Sequence, residues 1–97
     1  MQSTNCKINL SGLVVSESDQ RNIENLIQIL IDKSPSNSYL NLCIISGESE
    51  VNGFLSITSK SQKFESSQYG DNPLDVVKKL SIDLLAQIKI WISERVF

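Results

Sequence analysis

The sequence contains no histidine. This removes the side chain that most often acts as general base near neutral pH, and with it the Ser-His and Cys-His nucleophile pairs. Cysteine occurs only at Cys6 and Cys43, which do not form a C-x-x-C pair. The usual Cys and His ligand sets of zinc cannot be assembled from these residues, so no metal site is expected. Both cysteines are expected as free thiols inside strands, where cysteine behaves as a small hydrophobe; a disulfide is the alternative. No glycine-rich loop precedes a helix, which excludes the P-loop and the dinucleotide fingerprint. No apolar run reaches the roughly 18 residues of a membrane span. Residues 1–7 hold no basic segment followed by an apolar run, so no secretory signal is expected and a cytoplasmic location is the default. Positive charge is not in excess either: nine Lys and Arg stand against eleven Asp and Glu, a formal net charge of −2. Nucleic-acid modules are commonly basic overall, and this chain is not.

What is present is an ordinary globular composition. The 97 residues are 40% apolar and 21% charged, too apolar for disorder and too few for a second core. One domain over residues 1–97 is expected. Lys7-Ile8-Asn9-Leu10 alternates polar and apolar, and Leu13-Val14-Val15 follows Gly12. These predict a first strand over residues 6–15 with a bend or bulge near Gly12. Ser16-Glu17-Ser18-Asp19 is a helix start, with a capping hydroxyl and acidic side chains in the first turn. Ile23, Leu26, Ile27 and Leu30 recur at helical spacing until Ser34-Pro35-Ser36-Asn37 breaks the pattern. Residues 39–46 then alternate, with Leu40, Leu42 and Ile44 on one side and Asn41, Cys43 and Ile45 on the other. Gly47-Glu48-Ser49-Glu50 turns the chain into a third strand, whose Val51, Gly53, Leu55 and Ile57 share a side. A fourth strand starts at Lys63 and places Phe64 inside. Asn72 and Pro73 suit the cap and first position of a second helix, which runs to about Arg95.

Each strand has one apolar face, so the sheet should be covered on one side and wet on the other. The fold class expected is α+β in the order β-α-β-β-β-α. A four-stranded sheet carries two helices on one face, in the manner of a double-stranded-RNA-binding domain. A helix between the first two strands permits a parallel crossover, and hairpins join the rest.

The last helix is more apolar than one buried face requires. Leu74, Val77, Leu80, Leu84, Ile88 and Trp91 form the stripe that must meet the sheet. Ile82, Ala86 and Ile90 recur every four residues elsewhere, and Val76 points away from the main stripe. Three readings follow: the first helix covers the second stripe, a partner or second copy covers it, or it lies on a membrane surface. The last is disfavoured because the polar face is poor in basic residues. The terminal Phe97 belongs with the same interface.

Chemistry-bearing constellations are few. Asp71 and Asp75 bracket the second helix start, and Glu48 and Glu50 share a turn. Paired carboxylates can hold a divalent cation or act as acid and base, but solvated turn charges are the commoner reading. No residue stands out as a catalyst, so a non-enzymatic protein without a cofactor is expected. Basic residues are the remaining lead. Lys78 and Lys89 lie close in angle on the last helix, with Lys79 about a quarter-turn away. Lys60 and Lys63 flank the connection between the third and fourth strands, and Lys7 sits on the wet face. They form a thin phosphate-binding set, with ordinary solvated surface as the competing reading.

Three segments carry a family resemblance. Residues 8–23 run from an apolar strand through Ser16-Glu17 into a helix with Ile23 inward. Residues 51–69 place two polar-rich strands after a more apolar one. In the last helix, Asn72-Pro73-Leu74, Val76-Val77, Leu80, Leu84 and Gln87-Ile88 fall at matching spacings. In these features the chain resembles the bacterial ribosome hibernation promoting factors, or ribosome-associated inhibitors, over nearly its whole length. Its length suits the short form without a C-terminal dimerisation domain. The resemblance implies a protein bound to ribosomal RNA at the decoding region of the small ribosomal subunit, blocking messenger and transfer RNA. Lys78, Lys79 and Lys89 would then contact phosphates, helped by Lys60, Lys63 and Lys7. Two positions depart from the family pattern: Asp83 stands where a lysine is usual, and Leu74 where an aromatic is usual. Lost lysines mean fewer phosphate contacts and a flatter salt dependence. The rival reading is a protein-interaction or dimerisation module built on Ile82, Ala86, Ile90 and Phe97, on a scaffold that no longer binds RNA.

Overall fold

The computed structural model describes residues 5–11, 13–35, 37–60 and 62–95. Its elements are β1 (Asn5–Ser11), α1 (Glu17–Lys33), β2 (Tyr39–Ser46), β3 (Val51–Thr58), β4 (Lys63–Gly70) and α2 (Pro73–Arg95). The four strands form one sheet in the order β1-β2-β3-β4. β1 runs parallel to β2 across the α1 crossover, and the two hairpins pair antiparallel. The expected α+β architecture is therefore present, with both helices contributing to a single core.

The first strand is shorter than its pattern suggests. It ends at Ser11, and Gly12 lies outside the described residues. Residues 13–15 leave the sheet, with the Leu13 amide donating to the Leu10 carbonyl at 3.2 Å. Leu13 and Val15 still pack against the core, whereas Val14 is 98% exposed. The alternation in this segment records burial within a loop, which period-two patterning cannot distinguish from a strand.

The register sorts the side chains. Leu40, Leu42 and Ile44 of β2 stand beside Ile57, Leu55 and Gly53 of β3, and Ile57 beside Phe64 of β4. Together with Ile23, Ile27 and Leu30 of α1 and Val77, Leu80, Leu84 and Ile88 of α2, they make the buried core. Trp91 closes one end by meeting Phe64 edge-on, with ring centroids 6.0 Å apart, an arrangement that aromatic quadrupoles favour.

Both helices begin at side-chain caps. Ser16 Oγ accepts from the Asp19 amide at 3.2 Å, and Glu17 and Asp19 lie in the positive first turn of α1. Asn72 Oδ1 accepts from the Asp75 amide at 2.9 Å, with Pro73 as the first residue of α2. At the far end of α1, Ser34 folds back: its hydroxyl donates to the Leu30 carbonyl at 2.6 Å. Ser38 is buried, with its hydroxyl donating to the Pro35 carbonyl.

Two readings of α2 require correction. Val76 does not point away from the core; it is fully buried beside Val77. Gly53 is the reason. A Cβ there would run into Val76 Cγ1 and stand 2.8 Å from Ile44 Cδ1 and 3.0 Å from Leu80 Cδ1. The missing side chain lets the first turns of α2 sink onto β3, which widens the buried arc. Nor does α1 cover the second stripe. Ile82 is 69% exposed and Ile90 59%, and Ala86 is exposed between them. α1 lies against the other flank of α2, where Lys33 and Leu85, Ile88, Lys89 and Ile92 line a shallow depression between the helices.

Candidate nucleic-acid interface

The six lysines singled out from the sequence do not converge on one surface. Lys78, Lys79 and Lys89 are exposed on α2: Lys78 on its outer side, Lys79 reaching back to the β4 edge, and Lys89 bordering the depression beside α1. Lys78 and Lys89 share one helical face, three turns or about 16 Å apart at 1.5 Å per residue. Lys63 pairs in register with Thr58, and Lys7 with Asn41. Both lie on the open face of the sheet, on the opposite side of the molecule from the outer surface of α2. Lys60 is exposed in the turn between β3 and β4.

Two of the six are already engaged. Lys79 Nζ donates to the Tyr69 carbonyl at 2.9 Å, stands 3.4 Å from Asp75 Oδ2, and sits 6.0 Å from the Tyr69 ring centroid. Lys63 Nζ is 3.1 Å from Glu65 Oε2. Exposed pairs of this kind contribute little to stability, yet each sets a carboxylate against a lysine that a phosphate would need. Among the described residues, Lys7, Lys60, Lys78 and Lys89 form no ion pair. The outer face of α2 is therefore a narrow basic strip, Lys78 and Lys89, running beside the exposed Ile82-Ala86-Ile90 stripe. α1 carries Glu17, Asp19, Glu24 and Asp32 against Arg21 and Lys33, and of its two basic residues Lys33 lines the same depression as Lys89.

The carboxylates make no enclosed site. Asp71 and Asp75 line a shallow surface depression with Ser49, Glu50, Tyr69, Gly70 and Lys79, and Lys79 neutralises Asp75. Among the described residues, no group of three His, Cys, Asp or Glu side chains stands together to hold a metal ion. No helix among them is long and apolar enough to cross a membrane. Cys6 and Cys43 are free thiols on β1 and β2. Cys6 is exposed at the sheet edge, and partial burial pushes its thiol up from the ordinary value. It is thus protonated at neutral pH and a poor nucleophile.

One surface feature escaped the sequence reading. The open face of the sheet is not uniformly polar. Cys43 pairs with Phe54, and Ile45 with Asn52 and through it Tyr69. With Gly53, Ser67 and Gln68 these line a shallow depression of about 330 Å³. Tyr69 is 63% exposed and Ile45 53%. Phe54 lies between Gly53 and Leu55 in a strand whose other face is core, so its alternation was in plain view. Only the strand register places it beside Cys43.

No family model matches the sequence, and no curated protein sequence matches it. Solved structures do match in shape. A ribosomal subunit interface protein from Coxiella burnetii aligns with a TM-score of 0.74 at 10% identity, covering 92% of this chain and 98% of that one. The N-terminal domain of Protein Y from Thermus thermophilus aligns with a TM-score of 0.69 at 7% identity, covering 93% of this chain and 97% of that one. This chain shares their fold. The match spans each of those chains almost end to end. At this identity the likeness lies in architecture, and the side chains that would meet a partner are this chain's own. Of those expected to form a protein interface, Ile82, Ala86 and Ile90 are on the outer face of α2, and Phe97 lies outside the described residues.

Proposed function

We propose that the chain is a ribosome-associated, non-catalytic factor of the hibernation type. It works in the cytoplasm by seating its folded domain against RNA of the small ribosomal subunit. The observation that carries this reading is the end-to-end match of shape to a ribosomal subunit interface protein. The sequence resemblance to hibernation promoting factors points the same way from different data. The mechanism is steric: a rigid domain occupies an RNA-lined channel and excludes messenger and transfer RNA, so no turnover and no cofactor are needed. The residues offered for strong phosphate contact are Lys78 and Lys89, which form no ion pair among the described residues and share one helical face; Lys60, in the turn at the end of the sheet, adds a weaker contact. Lys79, Lys63 and Lys7 are subsidiary, the first two because carboxylates already hold them and Lys7 because it faces the other way.

The test is co-sedimentation with purified ribosomes. Lys78→Glu with Lys89→Glu should abolish pelleting while circular dichroism stays unchanged, since neither side chain enters the core. Unaltered pelleting of that double variant rejects phosphate contact through α2. A second reading is favoured by one observation, the exposure of Ile82 and Ile90. On it the outer face of α2 docks a protein or a second copy of the chain. Ile90→Lys then abolishes binding and the lysine reversals do not.

A further inference from the structure

The two edges of the sheet are treated differently. The β4 edge is closed by α2. Gln87 Oε1 accepts from the Glu65 amide at 3.3 Å, and Gln87 Nε2 donates to the Glu65 carbonyl at 2.8 Å. One carboxamide thus imitates the pair of bonds that a neighbouring strand would make. Asp83 steadies it, accepting from Gln87 Nε2 at 3.3 Å. One turn of helix further back, Lys79 Nζ takes the Tyr69 carbonyl. Residues 79, 83 and 87 recur every four positions, so they run along the helix as a polar ladder beside the strand.

Among the described residues, the β1 edge has no such cover: no side chain hydrogen-bonds to the backbone of β1. The strand contains no proline, and its single charged residue is Lys7. Free edges are templates for pairing with another strand, and native proteins usually block them with a cover, a proline or charges; here a single Lys7 on the open face is the one such device. Apolar side chains are exposed there too. Cys6, Ile8 and Leu10 stand in register with Leu40, Leu42 and Ile44 and so face the helix side. Leu42 is fully buried, while its neighbour Ile8 is 38% exposed and Cys6 is exposed. The core thins out within one strand's width.

We infer that the β1 edge is an interaction surface for a second copy of this chain, the two β1 strands pairing antiparallel across a two-fold axis at Ile8. Self-complementarity selects this occupant. Ile8 is the midpoint of Asn5–Ser11, so an axis there pairs the whole strand with its copy. Ile8 then faces Ile8, and Cys6 faces Leu10, which carries the apolar face across the junction. On the open face Lys7 meets Asn9, so the two Lys7 charges stand on a diagonal across the axis rather than directly opposite each other. The result is a continuous eight-stranded sheet with an isologous interface. A seven-residue strand pair is a small contact, so the dimer is weak, with a Kd in the micromolar range or above. It uses neither the outer face of α2 nor the ribosome, and it holds whether or not the proposed function does.

Analytical ultracentrifugation over a concentration series, combined with cysteine cross-linking, tests this. In a Cys6→Ser, Cys43→Ser background, Ile8→Cys should give a disulfide-linked dimer on mild oxidation, and Ile82→Cys should not. Mixed Lys7→Cys and Asn9→Cys chains should cross-link faster than either alone, which reads the register. Ile8→Lys should leave the fold intact by circular dichroism and the mass monomeric at every concentration. A chain that is monomeric up to its solubility limit overturns the proposal. So does a dimer that cross-links through Ile82→Cys rather than Ile8→Cys, which assigns self-association to α2.

Discussion

Gly53 and Ser81 are two residues whose importance lies in what they lack. Gly53 has no side chain where α2 meets β3, and a Cβ there has nowhere to go between Val76, Ile44 and Leu80. Gly53→Ala should therefore destabilise the domain by about 2 kcal/mol, the usual cost of overpacking a filled core. Urea titration followed by circular dichroism measures this; an unchanged midpoint would mean that the helix can lift off the sheet freely. Ser81 is 2% exposed, and its Oγ has no hydrogen-bond partner among the described residues. Removing a buried, unsatisfied hydroxyl from a helix interior should be favourable. Ser81→Ala is expected to stabilise by about 1 kcal/mol, which for a domain of this size raises Tm by about 5 °C. These two sites also show why the reading of α2 failed at Val76. A helical wheel assumes a flat surface beneath the helix. The groove that buries Val76 is made by a glycine 23 positions away, and only the packed structure brings the two together.

At the scale of elements, α2 does two jobs with different residues. Its apolar arc closes the core, and its Asp75-Lys79-Asp83-Gln87 row guards the β4 edge. Asp83 stands where the resembled family usually has lysine, and Gln87 occupies a position noted in the sequence only as part of a spacing pattern. The structure gives both a local reason: one orients the carboxamide that seals Glu65, the other supplies it. Gln87→Ala should leave the fold standing at a cost of about 1 kcal/mol, the net worth of an ordinary hydrogen bond. Hydrogen exchange by NMR should show the Glu65 amide exchanging markedly faster, with the core amides of β3 little changed. Equal protection in both proteins would show that water or backbone, rather than Gln87, satisfies that amide. The elements themselves were legible because their signals are local: Ser16 and Asn72-Pro73 start helices, and Gly47 turns a hairpin. Edge capping was not legible, because Gln87 and Glu65 are 22 residues apart and neither residue type announces the contact. The same limit hid the Cys43–Phe54 pair on the open face.

For the molecule as a whole, the decisive property is where the charge lies. The topology could be read because one apolar face per strand and one stripe per helix admit few arrangements. The surface could not, because lysines at positions 7, 60, 63, 78, 79 and 89 look like one set in a line of text. The fold divides them between opposite sides, and Asp75 and Glu65 engage two. That division fixes a number. If ribosome binding used all six, log K would fall with log salt at a slope of about −4 to −5. Raising salt fourfold would then cost several hundredfold or more in affinity. With Lys78 and Lys89 as the only strong phosphate contacts, the slope is about −1.5 to −2, and the same change costs about tenfold. A pelleting titration from low to moderate salt should follow the shallower line. It should lose about half that slope in Lys89→Glu, as one contact of two is removed. A steep slope would mean that both faces of the domain are buried in RNA at once, as in a closed channel. A flat one would move the binding energy to Ile82, Ala86 and Ile90, and the partner from RNA to protein.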